Sequence, residues 1–380
     1  MVQELRGNIR VFVRVKPSEP AGRSGAPVLA CEDSHRISCT AAGSTKAFEF
    51  DRVFGPESSQ EQIFGEVSQL ITSALDGYNV CIFAYGQTGA GKTYTMEGTR
   101  QDPGINYRTM KELFRCIKED REGGTTYDIT TSIVELYNEQ VWDLLAESGK
   151  KEVELVKATS GAGFNVPDLT QVAVTSPEQI LDIMARGFEQ RATGCHDINA
   201  HSSRSHCLLI VHAATTDPAT GVRSVGKLTL CDLAGSERIN KTGASGLTLT
   251  EAQNINRSLL ELGNVISALM QQSSHVPYRN SKLTMLLQDS LGGNAKALMV
   301  ANLAPSPAHA SETLSSLAFA SKVANVVLKT PQRKFEDVPT AGEGPPAVGK
   351  AGGTQSLAAR SGALRSNLSA DRPRLRAAQP

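Results

Sequence analysis

The chain has 380 residues, and its 39 Lys and Arg are balanced by 39 Asp and Glu. That zero net charge excludes the strongly basic balance of a general nucleic-acid binder. A hydrophobic share of 40% and a charged share of 21% are ordinary for a globular protein, and the length allows two domains or one large α/β domain.

The opening segment MVQELRGNIR lacks the apolar stretch of a signal peptide, and no apolar run approaches the roughly 18 residues that span a membrane. None of the seven cysteines forms a C-x-x-C pair, and several lie in apolar runs such as that around Cys81. They read as buried, reduced thiols of a cytosolic protein, not as disulfides or a zinc site.

In chain order, Ile9–Lys16 alternates apolar and polar residues and is predicted as a half-buried strand. Gln60–Leu75 is a predicted helix. Val80–Tyr85 is continuously apolar, as a buried central strand is. A helix opens at Thr93. Strands are expected at Tyr127–Leu136, His206–Ala213, Lys227–Asp232 and Ala297–Leu303, and helices at Pro177–Gly187, Thr250–Gln271, Ser281–Leu291 and Ser311–Val327. In Thr250–Gln271 the residues Ile255, Leu259, Leu262, Ile266 and Leu269 form one apolar stripe. That stripe turns Asn254, Arg257, Ser258 and Glu261 towards solvent or a partner. The economical architecture is α/β, a sheet with helices on both faces. Residues 331–380 are rich in Pro, Gly, Ala, Ser and Arg, and are expected to be disordered. They carry a net charge of +4, which leaves −4 on residues 1–330.

Gly86-Gln87-Thr88-Gly89-Ala90-Gly91-Lys92-Thr93 fits G-x-x-x-x-G-K-[ST], between an apolar strand and a helix. Glycines let backbone N–H groups approach phosphate oxygens closely. Lys92 can reach the β- and γ-phosphates, and the Thr93 hydroxyl can ligate Mg²⁺. Asp232-Leu233-Ala234-Gly235-Ser236-Glu237 is a D-x-x-G element at a strand end. Its Asp suits the Mg²⁺ shell, and its Gly N–H suits a γ-phosphate. Asn199–His206 sets two adjacent hydroxyls beside Arg204, as a phosphate-facing switch requires. A metal site at His201 and His206 is a poor reading, because the stretch supplies no cysteine and no carboxylate. Asn240-Lys241-Thr242-Gly243 lacks the Asp of a guanine-reading N-K-x-D motif, so guanine specificity is not expected.

GQTGAGKT, NxxSSRSH and DLAGSE, in this order, resemble the kinesin motor domain. So do VPYRNSKLT from Val276, LLQDSLGG from Leu286 and EAQNINRSL from Glu251. The resemblance runs from about residue 5 to about residue 328. It implies a P-loop NTPase-type fold, with a central mixed, mostly parallel sheet between helices. It also implies a microtubule-stimulated ATPase motor that uses ATP and Mg²⁺. The opening ELRGNIRV is similar to the neck–motor junction of C-terminal-motor kinesins, which usually move towards microtubule minus ends. On that resemblance, residues 1–7 end a neck helix, 8–328 form the motor, and 329–380 form the disordered tail. A homodimer through an upstream coiled coil, a cytoplasmic and cytoskeletal location (the spindle one candidate), no nucleic-acid partner and no membrane span complete the expectation.

Roles follow residue by residue. Arg14, Lys16 and Pro17 would contact adenine and ribose with Tyr94; R-x-K-P stands where the family has R-x-R-P. Gln87, Thr88, Gly89, Ala90, Gly91, Lys92 and Thr93 would cradle the phosphates. Thr93, Ser203 and Asp232 would hold the metal. Ser202 and Gly235 would position the attacking water, and Glu237 would accept its proton. Arg204 and Glu237 would pair to close the switches. Arg238, Lys241, Arg257, Tyr278, Arg279 and Lys282 would face the microtubule. Thr248, Thr250 and Met285 stand where the family commonly has basic residues, so weaker microtubule affinity is expected. The alternative is a kinesin-like microtubule-binding protein with weak or no motility.

Overall fold

The computed structural model describes residues 9–18, 26–121, 124–158, 163–192, 201–237, 247–292, 295–328 and 330–336. Two contact units divide the chain, Met1–Val338 and Pro339–Pro380, and the second lies outside the described residues. So do residues 1–8 and 238–246, among them Arg238 and Lys241.

The first unit is built on one mixed sheet. Its strands run, edge to edge, Arg52–Phe54, Arg10–Val15, Ala295–Leu303, Asn79–Tyr85, Arg223–Asp232, Ser205–Thr216, Thr126–Tyr137, Gln140–Asp143 and Lys151–Val153. Pairing is parallel as far as Arg223–Asp232 and antiparallel beyond it. Asn79–Tyr85 lies inside the parallel half, between Ala295–Leu303 and Arg223–Asp232, so it is covered on both faces, and it is buried along almost its whole length.

Register brings the three motifs to one edge. Asp232 pairs with Ala84 in parallel, so the D-x-x-G element begins level with the start of the glycine-rich loop. Cys207 pairs with Asp232 in the antiparallel direction, so the Ser202–Arg204 segment enters at the same edge. This is the carboxyl end of the parallel strands, where open α/β sheets bind ligands.

Alternation along the strands feeds two cores. Val11, Val13, Cys81, Phe83, Leu208 and Cys231 pack on Leu259, Leu262, Val265 and Ile266 of the helix Leu247–Met270, and on Leu317 of the helix Ala310–Ala324. Phe12, Val80, Ile82 and Leu209 face the other way. They meet Ile63, Ile71, Met110 and Ile180, from helices on the opposite face.

The predicted strands and helices are all present, with local differences. Gln60–Leu75 is two helices, Gln60–Val67 and Gln69–Leu75, the first held by a capping box at Ser59. Ser281–Leu291 breaks at Leu287 into Lys282–Leu286 and Gln288–Leu291. The helix Ile105–Arg121 and a small sheet of Leu29–Cys31, Arg36–Ala41 and Ser44–Glu49 were not expected. Ser258, expected to face outward, is buried.

Residues 330–336, expected to belong to the disordered tail, are placed against the sheet. The Lys334 N–H donates to Gly77 O, the Val225 N–H donates to Lys334 O, and Phe335–Glu336 pairs with Arg223 and Ser224. Backbone hydrogen bonds to the end of the strand Arg223–Asp232, where Asn79–Tyr85 no longer pairs with it, hold these residues, and composition carries no signal for that. No helix among the described residues is long and apolar enough to cross a membrane.

Candidate functional site

The glycine-rich loop closes on itself around Lys92. Its buried ammonium donates to Gly86 O at 2.9 Å and to Gln87 O at 3.0 Å. Burial lowers the Lys92 pKa, against the opposing pull of Asp232 and Glu237. Gly86 is required by close approach: it has φ +150°, and a Cβ there would lie 2.3 Å from Asn302 O. Among the described residues no acceptor takes the N–H groups of Gly89, Gly91, Lys92 or Thr93. Those donors, with a lysine anchored by two carbonyls, fit a phosphate chain.

Asp232 and Thr93 meet beside the loop. The Thr93 hydroxyl donates to Asp232 Oδ2 at 2.9 Å. Asp232 is buried, and its Oδ1 has no hydrogen-bond partner. An orphaned carboxylate oxygen next to a threonine hydroxyl fits a hydrated divalent cation held at a phosphate. No cluster of three or more His, Cys, Asp or Glu that could hold a metal by itself occurs among the described residues. The donor set therefore suits a metal that arrives with its nucleotide.

The switch segments touch each other and the loop. The Gly235 N–H donates to Ser203 O at 2.8 Å, and the Ser236 N–H donates to Gly86 O at 3.1 Å. Ser202 and Ser203 are part-buried on the loop side of Ser205–Thr216. The Gly235 N–H, expected to meet a γ-phosphate, is thus engaged by the first switch.

The expected Arg204–Glu237 ion pair does not form. Glu237 instead accepts the Thr88 N–H at 2.8 Å and the Thr88 hydroxyl at 2.5 Å. Arg204 lines a small cavity with Asn138, Glu139, Asn254 and Ser258, towards the helix Leu247–Met270. The physical reason lies in the loop: its N–H groups attract an anion, and the Glu237 carboxylate reaches the Thr88 N–H. Gly235 permits this, since a Cβ there would lie 2.3 Å from both Glu237 Oε2 and Thr88 Oγ1.

Sequence reasoning missed Arg191, the last-turn arginine of the helix Pro177–Ala192. Its buried guanidinium reaches Asp232 Oδ2 at 3.3 Å, Glu97 Oε1 at 3.5 Å, and Ser202 O and Ser205 O at 3.4 and 3.2 Å. Burial opposes its charge, but Cys207, Asp232, Glu97 and Glu135 outweigh that and raise its pKa. Burial pushes Glu97 up to about 7, although Arg191 draws it back. Glu135, fully buried, behaves in the opposite way. Burial would raise its pKa, yet hydrogen bonds from His201, Lys150 and Ser205 bring it down to about 2. A polar residue on an amphipathic helix carries no sign in sequence that it will be swallowed by a distant site.

At the base end, Arg14 is placed differently from its expected role. Its guanidinium donates to Gln60 Oε1 at 2.8 Å and Thr95 Oγ1 at 2.9 Å, and lies 4.9 Å from the centre of the Tyr94 ring. Arg14 therefore supports Tyr94, and the exposed surface is that ring with Lys16 and Pro17. Lys16 donates to Gly89 O at 3.1 Å, which ties the R-x-K-P strand end to the loop. Ala90 is buried beneath the loop.

A family model, the kinesin motor domain, matches residues 14–326. The chain belongs to the kinesin motor-domain family. It is 47% identical over 342 residues to the kinesin-like protein KIN-14E of Oryza sativa subsp. japonica, covering 88% of this chain and 32% of that one. It is 48% identical to KIN-14R of Arabidopsis thaliana, covering 88% of this chain and 31% of that one. The chain thus spans about a third of the length of the curated relatives it matches. Among solved structures it is similar to a fast kinesin (TM-score 0.80, 36% identity, 90% of this chain and 98% of that one). It is also similar to the motor domain of the Kar3-like kinesin from Ashbya gossypii (TM-score 0.72, 40% identity, 83% and 99%). The KIN-14 relatives agree with the resemblance carried by the opening residues.

This kinesin motor domain presents fewer of the expected partner residues than the sequence suggested. Arg257 and Arg279 are exposed and Lys282 is part-exposed. Tyr278 is buried, and its hydroxyl donates to Leu291 O at 3.3 Å, so it serves packing and not contact. Asn199, Arg238 and Lys241 lie outside the described residues, as do the side chains of Thr248 and Thr250. Met285 is part-exposed on Lys282–Leu286.

Proposed function

We propose that this chain hydrolyses ATP, is stimulated by microtubules and moves along them. The observation that carries the reading is the convergence of the glycine-rich loop, Asp232 and both switch segments at one sheet edge. Main-chain hydrogen bonds already link Gly235 to Ser203 and Ser236 to Gly86. A phosphate placed there would be felt by two loops at once.

The residues divide the work. The N–H groups of Gly89, Gly91, Lys92 and Thr93 would bind the phosphates, with the Lys92 ammonium beside them. Tyr94, Lys16 and Pro17 would hold the base and ribose. Thr93, Ser203 and Asp232 would hold Mg²⁺, which when bound neutralises charge on the phosphate oxygens. Ser202 and the Gly235 N–H would orient the attacking water, and Glu237 would take its proton through a second water. For that, Glu237 must leave Thr88, and Gly235 must release Ser203 O. Closure would then pair Glu237 with Arg204. The present arrangement reads as the open side of that switch.

Residues 8–328 would form the motor, with residues 330–336 attached to its sheet. Minus-end direction and a homodimer through an upstream coiled coil fit the opening residues and the KIN-14 likeness, as does location on the microtubule cytoskeleton. Steady-state ATP hydrolysis should rise on adding microtubules, and an unchanged rate would overturn the reading. Gliding of polarity-marked microtubules reads the direction. A second reading, microtubule binding with little motility, is favoured by Thr248, Thr250 and Met285, and the same gliding assay separates it.

A further inference from the structure

His206 begins the strand Ser205–Thr216, yet its side chain belongs to neither core cluster. The Ala234 N–H donates to its Nδ1 at 3.1 Å. A main-chain N–H can only donate, so Nδ1 is the bare nitrogen and the proton sits on Nε2. Nε2–H then donates to Ser258 Oγ at 2.8 Å. The Ser258 hydroxyl in turn donates to Ile255 O at 2.6 Å, within the helix Leu247–Met270. The chain of donors therefore has one direction, from the second switch into the helix. Ala234, His206 and Ser258 are all buried, at 0%, 2% and 2% exposure, and only a small cavity shared with Arg204 and Asn254 adjoins the His206–Ser258 pair. Burial, with the Arg191 and Lys92 cations, also pushes the His206 pKa down to about 3, which keeps the ring neutral and the tautomer fixed.

Ala234 adjoins Gly235, whose N–H would have to swing from Ser203 O towards a phosphate. A buried ring with both nitrogens satisfied cannot follow Ala234 without straining its bond to Ser258. Either the helix follows or a buried donor is orphaned, and the second outcome is costly. We propose that His206 is a positioning residue that couples the Ala234–Gly235 peptide at the phosphate site to the helix Leu247–Met270 through Ser258. This inference rests on the microtubule-motor reading and adds the route by which nucleotide state reaches the track-facing helix. The two sites then bias one two-arrangement element, and the coupling is reciprocal.

The test uses the full chain and Ser258→Ala, with Ser258→Thr as the variant that keeps the hydroxyl. Microtubule affinity is measured with a non-hydrolysable ATP analogue and with ADP, alongside ATP hydrolysis without microtubules. Ser258→Ala should hydrolyse ATP at close to the normal basal rate, while the ratio of the two affinities falls roughly tenfold. Ser258→Thr should restore the ratio. An unchanged ratio in Ser258→Ala, or no rescue by Thr at equal thermal stability, would overturn the coupling. A normal chain that ignores microtubules in both nucleotide states would sink the motor reading instead. The ring ¹⁵N signals of His206, assigned by their loss in His206→Asn, then decide the coupling alone. They should show the Nε2–H tautomer and shift between ADP and the ATP analogue, and identical signals in both states would refute it.

Discussion

Arg191 is the cation that Asp232, Glu97 and Glu135 share inside the protein. Removing it strands buried carboxylates, and breaking a buried pair from one side typically costs about 3–5 kcal/mol. Arg191→Met should lower the denaturant-unfolding free energy by about that amount, although its volume is nearly conserved. Glu237 offers a contrasting case. Its carboxylate occupies the Thr88 N–H in the open arrangement and would be needed elsewhere for hydrolysis. Glu237→Ala and Arg204→Ala should therefore keep ATP binding and lose turnover; normal steady-state hydrolysis in either variant would count against these roles. His212 gives a pH signature. Burial first, and Lys227 second, bring its pKa down to about 4, below the ordinary value of about 6.5. Between those values the unfolded chain binds a proton that the folded one refuses, so stability falls as pH falls. His212→Gln should flatten unfolding free energy against pH between 6.5 and 5, by up to about 1.4 kcal/mol per pH unit. An unaltered slope would rule out His212 as its source.

At the scale of elements, the proposed motor function would set the helix Leu247–Met270 between the site and a microtubule. One side of it is core: Leu259, Leu262, Val265 and Ile266 are buried. Its other side carries exposed Arg257 and Leu260. Thr248 and Thr250 at its start, with Met285 nearby in sequence on Lys282–Leu286, are neutral where kinesins commonly carry charge. Attraction to an acidic track acts within about 10 Å at 0.1 M salt, so charges on this face count most at low ionic strength. Arg at 248 and 285 with Lys at 250 should tighten microtubule co-sedimentation at low salt and lose that advantage as salt rises. Equal binding across the whole salt range would exclude the idea. The hairpin turn at Asn138 and Glu139, both at positive φ, adds a second tie to these elements. The Asn254 amide donates to Asn138 Oδ1 at 2.6 Å, and the Lys282 N–H donates to Glu139 Oε2 at 3.1 Å.

At the scale of the whole molecule, zero net charge is a cancellation between a motor of −4 and a tail of +4. Residues 1–338 form one contact unit, and its sheet is completed by Phe335–Glu336. A chain ending at residue 338 should therefore keep the melting temperature of the whole, and a clear drop would show that residues beyond it contribute to stability.

The sequence by itself determined most of the main-sheet strands and their flanking helices, the position of the glycine-rich loop and the family, but not the helix Ile105–Arg121 or the small sheet of Leu29–Cys31, Arg36–Ala41 and Ser44–Glu49. These rest on local signals: a strand-like apolar pattern at Ile9–Lys16, expected half-buried but in fact buried on both faces, a continuous apolar run in Val80–Tyr85, and glycines spaced for a phosphate. It also named Lys92, Thr93 and Asp232, because their chemistry is tied to motif positions. Only the tertiary structure decided what depends on partners far apart in the chain. Arg191 meets Glu97 across 94 residues, and Glu237 meets Thr88 across 149. Tyr278 and Ser258 turned inward, and Lys334–Glu336 found the end of the strand Arg223–Asp232 left unpaired by Asn79–Tyr85, for the same reason. A polar side chain or a backbone segment settles wherever the fold supplies its hydrogen-bond partner, and that partner is not written beside it.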